Sequence, residues 1–441
     1  MGAARVGGMT MVHWPGTQSP ASAVGDLAPL ELALTGRGAA VCPSGAPPGR
    51  SDHVPSPPEG TAIVVGTSGS TGTPKLAVLS AAAVRASGEA TAEHLDGHGQ
   101  WLLALPPTHI AGLQVLARSL LAGHSPVATD DGPFTPEGFA AATERLTGGV
   151  RHYTSLVPTQ LVRLLASPLG AEAAATYDGI LVGGAALPAT VHAQAVAAGL
   201  RVVRTYGMSE TAGGCVYDGR PLSCARVRLD EGRISLGGEM VADGYLGETA
   251  LTATHFTVED GTRWFRTDDL GELAEDGTLT VLGRADDVIV TGGLKVAPRV
   301  VEDAILAHVT GVRECVVVGV PDLEWGQVVG ALVVEDGARN GGNGGGSDGD
   351  GGGGGCGHAG RYEVGDPAAA EVATGWDAER VRAALRPHLA AHALPRVVAA
   401  ADGIPLRGPG KPDRAAVREL LSQALSAAPR RRERGPVPGA G

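Results

Sequence analysis

Aromatic residues are scarce in this chain, at 3% of 441 positions, so Ala, Val and Leu must supply most of any core. Cysteine is also sparse. The five residues (Cys42, Cys215, Cys224, Cys315 and Cys356) are odd in number and include no CxxC pair. That pattern argues against a disulfide framework or a cysteine zinc site, and fits the reduced thiols of a cytoplasmic protein. Positive charge is not in excess: the formal net charge is −12, which argues against a nucleic-acid binder that works by neutralising phosphates. The one basic cluster, Arg430, Arg431, Arg432 and Arg434, reads as a solvated tail over 430–434. The N-terminal stretch MGAARVGGMTMVHWPG lacks the apolar run of a signal peptide. No run of about eighteen apolar residues occurs anywhere, so no membrane insertion is expected.

What is present suits a two-domain chain. The length accommodates one large and one small domain, each with its own core. Residues 1–60 are rich in Pro, Gly and Ser, with one short helix expected around Leu27 to Thr35. From Thr61 the texture changes. The run TAIVVGT is a buried strand feeding a Gly/Ser/Thr loop, and WLLALP, GLQVLARSLLAG, PTQLVRLLA, GILVGG and LRVVRTYG alternate strand and helix patterns. Such alternation predicts an α/β fold with parallel-rich sheets. Between Arg220 and Leu282, phrases such as DEGRISLGG and AEDGTLTVLG predict hairpins and a small barrel-like part. After Arg284, VIVTGG, a helix over Pro298 to His308, ECVVVGV, GALVVE and AERVRAALRPHLA predict a small α+β domain. The expected boundaries are an N-terminal segment at 1–60, a large domain at 61–285 and a small domain at 286–441. The low-complexity tract 337–360 reads as an insertion in a surface loop, where closure entropy grows only logarithmically with length.

The strongest chemical signal is Thr67-Ser68-Gly69-Ser70-Thr71-Gly72-Thr73-Pro74-Lys75, directly after a strand. Its glycines let backbone amides approach phosphates, its hydroxyls add donors, and Lys75 adds a point charge. It cannot be threaded as GxxxxGK[ST], because Pro74 precedes the lysine and Leu76 follows it. The bland alternative is a flexible Ser/Gly turn. In Tyr206-Gly207-Met208-Ser209-Glu210-Thr211, a carboxylate beside a hydroxyl suits hard-cation and phosphate chemistry. Gly183-Gly184-Ala185-Ala186-Leu187 closes the strand GILV, where small residues would let a flat base lie against backbone. Alone it is equally a strand-end turn.

The nonapeptide resembles the phosphate loop of the adenylate-forming superfamily, which includes acyl-CoA synthetases, luciferases and peptide-synthetase adenylation domains. That resemblance implies a large nucleotide-binding domain, a small mobile lid, and ATP, Mg²⁺ and coenzyme A as cofactor and co-substrates. It carries roles onto matching positions. The loop, Thr67, Ser68, Gly69, Ser70, Thr71, Gly72 and Lys75, would hold the triphosphate. Gly183, Gly184 and Ala185 would lie against adenine, and Tyr206 would stack on it beside Gly207. Ser209, in place of the commoner threonine, would meet the α-phosphate, and Glu210 would hold Mg²⁺. Phe265-Arg266-Thr267-Asp268-Asp269-Leu270-Gly271 is similar to the superfamily's [YF]xTGD element. Asp269 falls on the aspartate that grips ribose, while Asp268 replaces the usual glycine. In Gly283-Arg284-Ala285-Asp286-Asp287, Arg284 would contact ribose or phosphate and Asp286 would be the hinge. Gly292, Gly293 and Lys295 follow where relatives line the pantetheine tunnel. Pro405-Leu406-Arg407-Gly408-Pro409-Gly410-Lys411-Pro412-Asp413-Arg414 resembles the PxTxxGKxxR element, which makes Lys411 the catalytic lysine.

Leu105-Pro106-Pro107-Thr108-His109-Ile110-Ala111-Gly112 resembles the element that gates the acyl pocket. His109 would orient the acid there, with a core histidine as the other reading. LPPTHIAGLQVL and YGMSETAGGCVYDGRPL resemble actinobacterial o-succinylbenzoate–CoA ligases, which implies an aromatic acid with two carboxylates and a menaquinone-biosynthetic role. A cation for the unreacted carboxylate is expected, with Arg118, His152, Arg204 and Arg220 as candidates. Another aryl or short-chain acyl-CoA ligase, a non-catalytic nucleotide-binding paralogue and a carrier-loading adenylation domain are the alternatives. A homodimer is compatible with the sequence.

Overall fold

The computed structural model describes residues 11–14, 19–43, 55–67, 75–335, 376, 378–407 and 411–427. Ser68, Gly69, Ser70, Thr71 and Gly72 of the phosphate loop, Cys356, the tract 337–360 and the tail 430–434 lie outside them. The chain divides into two units, Met1–Val281 and Leu282–Gly441, a few residues before the boundary expected after 285. Both units mix helix and sheet, so the fold is α/β, with a large N-terminal and a small C-terminal unit.

The first unit carries three sheets among the described residues. One is parallel-rich: Val127–Ala128, Gln100–Leu103, His152–Leu156, Gly179–Val182 and Val202–Met208 run parallel. Gly213–Tyr217 closes back antiparallel on Val202–Met208. The strands Gln100–Leu103 and Gly179–Val182 are buried throughout, as expected of a sheet covered on both faces. Helix Ile110–Leu121 covers one face and buries Gly112 to Ser119. A Cβ on Gly112 would lie 2.5 Å from the Pro106 carbonyl oxygen, so glycine there lets the helix start close against the Leu105-Pro106-Pro107 turn.

The second sheet recruits the N-terminal residues. Met11–His13 and Ala40–Cys42 run parallel to each other, and Ala40–Cys42 runs parallel to Thr61–Gly66. Trp14, Leu30, Leu34 and Val41 are buried in the same core as Ile63 and Leu79. The segment 1–60 thus supplies strands and core side chains. Leu76–Ser80 returns antiparallel to Thr61–Gly66, and Gly244–Tyr245 pairs on its far side. The third sheet is antiparallel, with Ala225–Asp230, Arg233–Gly238, Thr262–Leu273 and Phe256–Glu259 in that order, as the turn pairs in this region imply.

In the second unit, Leu294–Val296, Ile289–Thr291, Gly326–Glu335 and Val312–Asp322 form an antiparallel sheet, joined in parallel by Val397–Ala400. Helix Pro298–His308 packs Val301 and Ile305 into its core. Helix Ala378–Leu385 ends earlier than the pattern AERVRAALRPHLA suggests, because Pro387 disfavours helical backbone at the residue before it. Cys215, Cys224 and Cys315 are free thiols, and burial pushes the Cys215 thiol up to about 12. No described helix is long and apolar enough to cross a membrane.

Candidate active site

The neck of the phosphate loop is the end of a hairpin. Gly66 faces Leu76 across the ladder, and the Thr67 amide donates to the Lys75 carbonyl at 2.8 Å. Two buried strands therefore fix where the loop leaves and re-enters. The return strand sets Lys75 beside Tyr245, with Nζ 5.3 Å from the ring centroid.

Tyr245 links that cation to the acid of the second motif. Its hydroxyl donates to Glu210 Oε1 at 2.8 Å. Glu210 is 7% exposed, and burial holds its carboxyl above the usual carboxylate range, opposed by the Tyr245 hydrogen bond and the Lys75 charge. The turn that carries Glu210 is stapled at both ends. Ser209 Oγ donates to the Gly66 carbonyl at 3.3 Å, and the Ala242 amide donates to the Glu210 carbonyl at 2.9 Å. Thr211 Oγ1 accepts from the Met208 amide at 3.0 Å. The Ser209 hydroxyl and the loop neck are thus held by backbone and the acid by Tyr245, which lowers the ordering these groups need when a ligand arrives.

A second contact joins the next two motifs. Tyr206 Oη donates to Asp269 Oδ2 at 2.7 Å, and burial followed by the Asp269 charge raises the tyrosine's pKa well above normal. The Asp269 amide donates to Thr267 Oγ1, itself buried and bonded to the Ile234 carbonyl. Asp268 takes a different partner, Arg233 Nη1 at 3.0 Å on the neighbouring strand. The pairing of this strand with Arg233–Gly238 slips between Arg266 and Leu270, so the two acids lie in an irregular stretch and take different partners. Gly207 permits the close strand approach beside this pair, since a Cβ there would lie 2.1 Å from the Gly213 carbonyl oxygen. Gly183 abuts Thr205 and leads into Gly184 and the half-buried Ala185.

His109 is exposed at the N-cap of helix Ile110–Leu121, which removes it from the core. The four cations considered for a second carboxylate each have another partner. Arg118 is buried over the Trp101 ring and donates to Tyr217 Oη. His152 Nε2 meets the Thr147 carbonyl, Arg204 pairs with Asp218, and Arg220 pairs with Asp276.

In the second unit, Arg284 Nη2 lies 3.8 Å from Asp286 Oδ2, and the Asp286 side chain is 74% exposed. Gly292 and Gly293 form a two-residue hairpin turn with φ of 55° and 80°, a backbone that side-chained residues rarely adopt. Lys411 pairs with Arg407 in a short antiparallel ladder. Tyr245 is the residue that reading the sequence missed. Its signal was faint: one tyrosine in an aromatic-poor chain, in the phrase VADGYLGE.

Among the described residues no three His, Cys, Asp or Glu side chains converge. A cation held by Glu210 would therefore complete its shell from phosphate oxygens and water, which is how Mg²⁺ is commonly bound.

The loop neck, the buried acid and the tyrosine–aspartate pair all lie on the larger unit. The AMP-binding enzyme model matches residues 16–246 and the AMP-binding enzyme C-terminal domain model matches residues 301–343. The chain belongs to the AMP-binding enzyme family. It is 50% identical over 281 residues to a probable 2-succinylbenzoate–CoA ligase of Mycobacterium tuberculosis, a match covering 63% of this chain and 72% of that one. Two solved structures are also similar. The o-succinylbenzoate–CoA synthetase of Bacillus subtilis in complex with its acyl-adenylate intermediate has a TM-score of 0.62 at 25% identity, over 81% of this chain and 69% of that one. ATP-bound MatB from Rhodopseudomonas palustris has a TM-score of 0.64 at 26% identity, over 82% and 68%.

Proposed function

We propose that this chain is an ATP-dependent acid–CoA ligase that activates o-succinylbenzoate as its acyl-adenylate. The observation that carries the reading is the Lys75–Tyr245–Glu210 chain, a cation and an acid fixed at the neck of a Ser/Thr/Gly loop. Its substrate is drawn from the relative at 50% identity.

In the first step a carboxylate oxygen of the acid attacks the α-phosphorus of ATP, and pyrophosphate leaves. Phosphoryl transfer depends on positioning and charge neutralisation more than on covalent help. Thr71 and Lys75 cradle the phosphates, and Ser209 meets the α-phosphate. Tyr206 lies against adenine, Asp269 holds the ribose, and Lys411 supplies a further cation. Glu210, with phosphate oxygens, would hold Mg²⁺, which when bound neutralises the triphosphate. The Tyr245 hydroxyl, by donating to Glu210, favours its carboxylate form against the effect of burial. In the second step the CoA thiol attacks the acyl carbonyl, AMP departs, and the Gly292–Gly293 turn lies along the pantetheine arm. Asp286 is the hinge between the two steps.

The test is pyrophosphate release from ATP with o-succinylbenzoate or benzoate, with and without CoA. Faster release with o-succinylbenzoate and CoA-dependent thioester is expected. A preference for benzoate would defeat the named acid, and no release with any acid would defeat the enzyme reading.

A further inference from the structure

Lys411 sits in a short ladder with Leu406–Arg407, and a two-stranded ladder of this length is too small to hold a fixed orientation alone. The residues just beyond the ladder are much better anchored. The Asp413 amide donates to the Pro405 carbonyl at 2.8 Å, closing the base of the hairpin. Asp413 Oδ1 accepts from the Ala415 and Ala416 amides, both at 3.1 Å, and so caps helix Arg414–Ala427. Arg414 then reaches three other elements of the second unit. Its Nε lies 3.2 Å from Asp287 Oδ2 in the turn after Arg284. Its Nη1 lies 2.9 Å from Glu302 Oε1 on helix Pro298–His308, and 2.6 Å from the Val317 carbonyl oxygen on strand Val312–Asp322. Glu302 is itself 8% exposed and accepts from the Val317 amide at 2.9 Å.

One guanidinium therefore joins the base of the Lys411 hairpin to the turn that contains Asp286 and Asp287, and to the sheet and helix behind both. A lysine could not do this, because its ammonium is a point charge on a flexible stem and cannot hold three acceptors in a planar fork. We propose that Arg414 is a positioning residue for adenylation, fixing the bearing of Lys411 relative to the Arg284–Asp287 turn through Asp287, Glu302 and the Val317 carbonyl. The inference rests on the adenylation reading above and adds a residue that acts through Lys411 rather than on the nucleotide.

The experiment compares wild type with Arg414→Lys, Arg414→Gln and Glu302→Gln in two separate half-reactions. One is pyrophosphate release from ATP and o-succinylbenzoate, and the other is thioester formation from supplied acyl-adenylate and CoA. Arg414→Gln and Arg414→Lys should lower kcat for adenylation by roughly 10- to 100-fold with the KM for ATP nearly unchanged, since small misplacements of a catalytic group cost rates of that order. Thioester formation should stay within about twofold of wild type, because it does not use Lys411. Glu302→Gln keeps the acceptor for Val317 and should give a smaller loss in the same half-reaction only. A merely structural role would lower both half-reactions in proportion to the folded fraction, and that result overturns the proposal. Unchanged adenylation in Arg414→Gln also overturns it. Wild-type protein that adenylates no acid would instead sink the functional reading beneath it.

Discussion

The acid of the first unit and the acid of the second unit are held in opposite ways. Glu210 is 7% exposed, hydrogen-bonded by Tyr245 and carried on a turn stapled at both ends. The Asp286 side chain is 74% exposed, with a loose contact to Arg284. The same contrast separates Lys75, fixed at the end of a buried ladder, from Lys411, on a ladder two residues long. A static site that binds a charged nucleotide gains from preorganisation, because ordering costs are met on folding rather than on binding. In the proposed mechanism the Lys411 segment moves between two steps and so is not locked in that fashion; on the same proposal Arg414 orders it from one layer behind.

The largest break in this comparison is expected at Lys411. Lys411→Ala should lower pyrophosphate release by a factor on the order of 1,000, the scale for losing one charge-stabilising group, while sparing thioester formation from supplied acyl-adenylate. Equal loss in both half-reactions would remove the distinction between the two units.

Glu210→Gln should lower pyrophosphate release by about 100-fold and, unlike the lysine change, should stabilise the fold. Burial raises this acid's pKa above its unfolded value. The folded chain therefore binds the proton more tightly, and stability falls as pH rises from the ordinary carboxylate range through the folded pKa. Relative to acid conditions the buried acid is therefore a cost at neutral pH, one that glutamine lacks. Thermal denaturation should show a Tm gain of about 2–4 °C for about 1 kcal/mol, greater at pH 7 than at pH 4. A lowered Tm would mean the acid is a net structural support.

Tyr245→Phe should act on the same carboxylate more gently. The hydroxyl lowers the Glu210 pKa, so its loss should move the acidic limb of the pH–rate profile upward and reduce activity near neutrality by about tenfold, the worth of one hydrogen bond to a charged group. An unmoved limb would detach Tyr245 from the chemistry. The smallest effect sharpens the reading of the paired aspartates. Asp269→Asn should raise the KM for ATP by about tenfold, whereas Asp268→Asn, which weakens the pair with Arg233, should stay within about twofold. Reversed results would reassign the ribose contact.

Much of the fold was legible because local patterns and long-range packing agree. Helix Pro298–His308 appears with the bounds its apolar spacing gave, and the strand Thr61–Gly66 is buried as its composition implied. The return strand Leu76–Ser80 was harder to see. LAVLS runs straight into AAAVRASGEA without a turn signal, and only pairing with Thr61–Gly66 makes it a strand. Residues 1–60 misled for a related reason. Their Pro and Gly content obscures two three-residue strands that find partners only in the assembled sheet.

The residue types that carry the chemistry were set by the sequence alone, because hydroxyls, a lysine, an acid and glycines in fixed short spacing need no distant partner to declare themselves. Which of Asp268 and Asp269 joins Tyr206, that Tyr245 serves Glu210 from 35 residues away, and that Arg414 braces the Lys411 hairpin were decided by tertiary structure. Those contacts depend on strand register and on side chains brought together across long loops, and neither leaves a periodic trace in the chain.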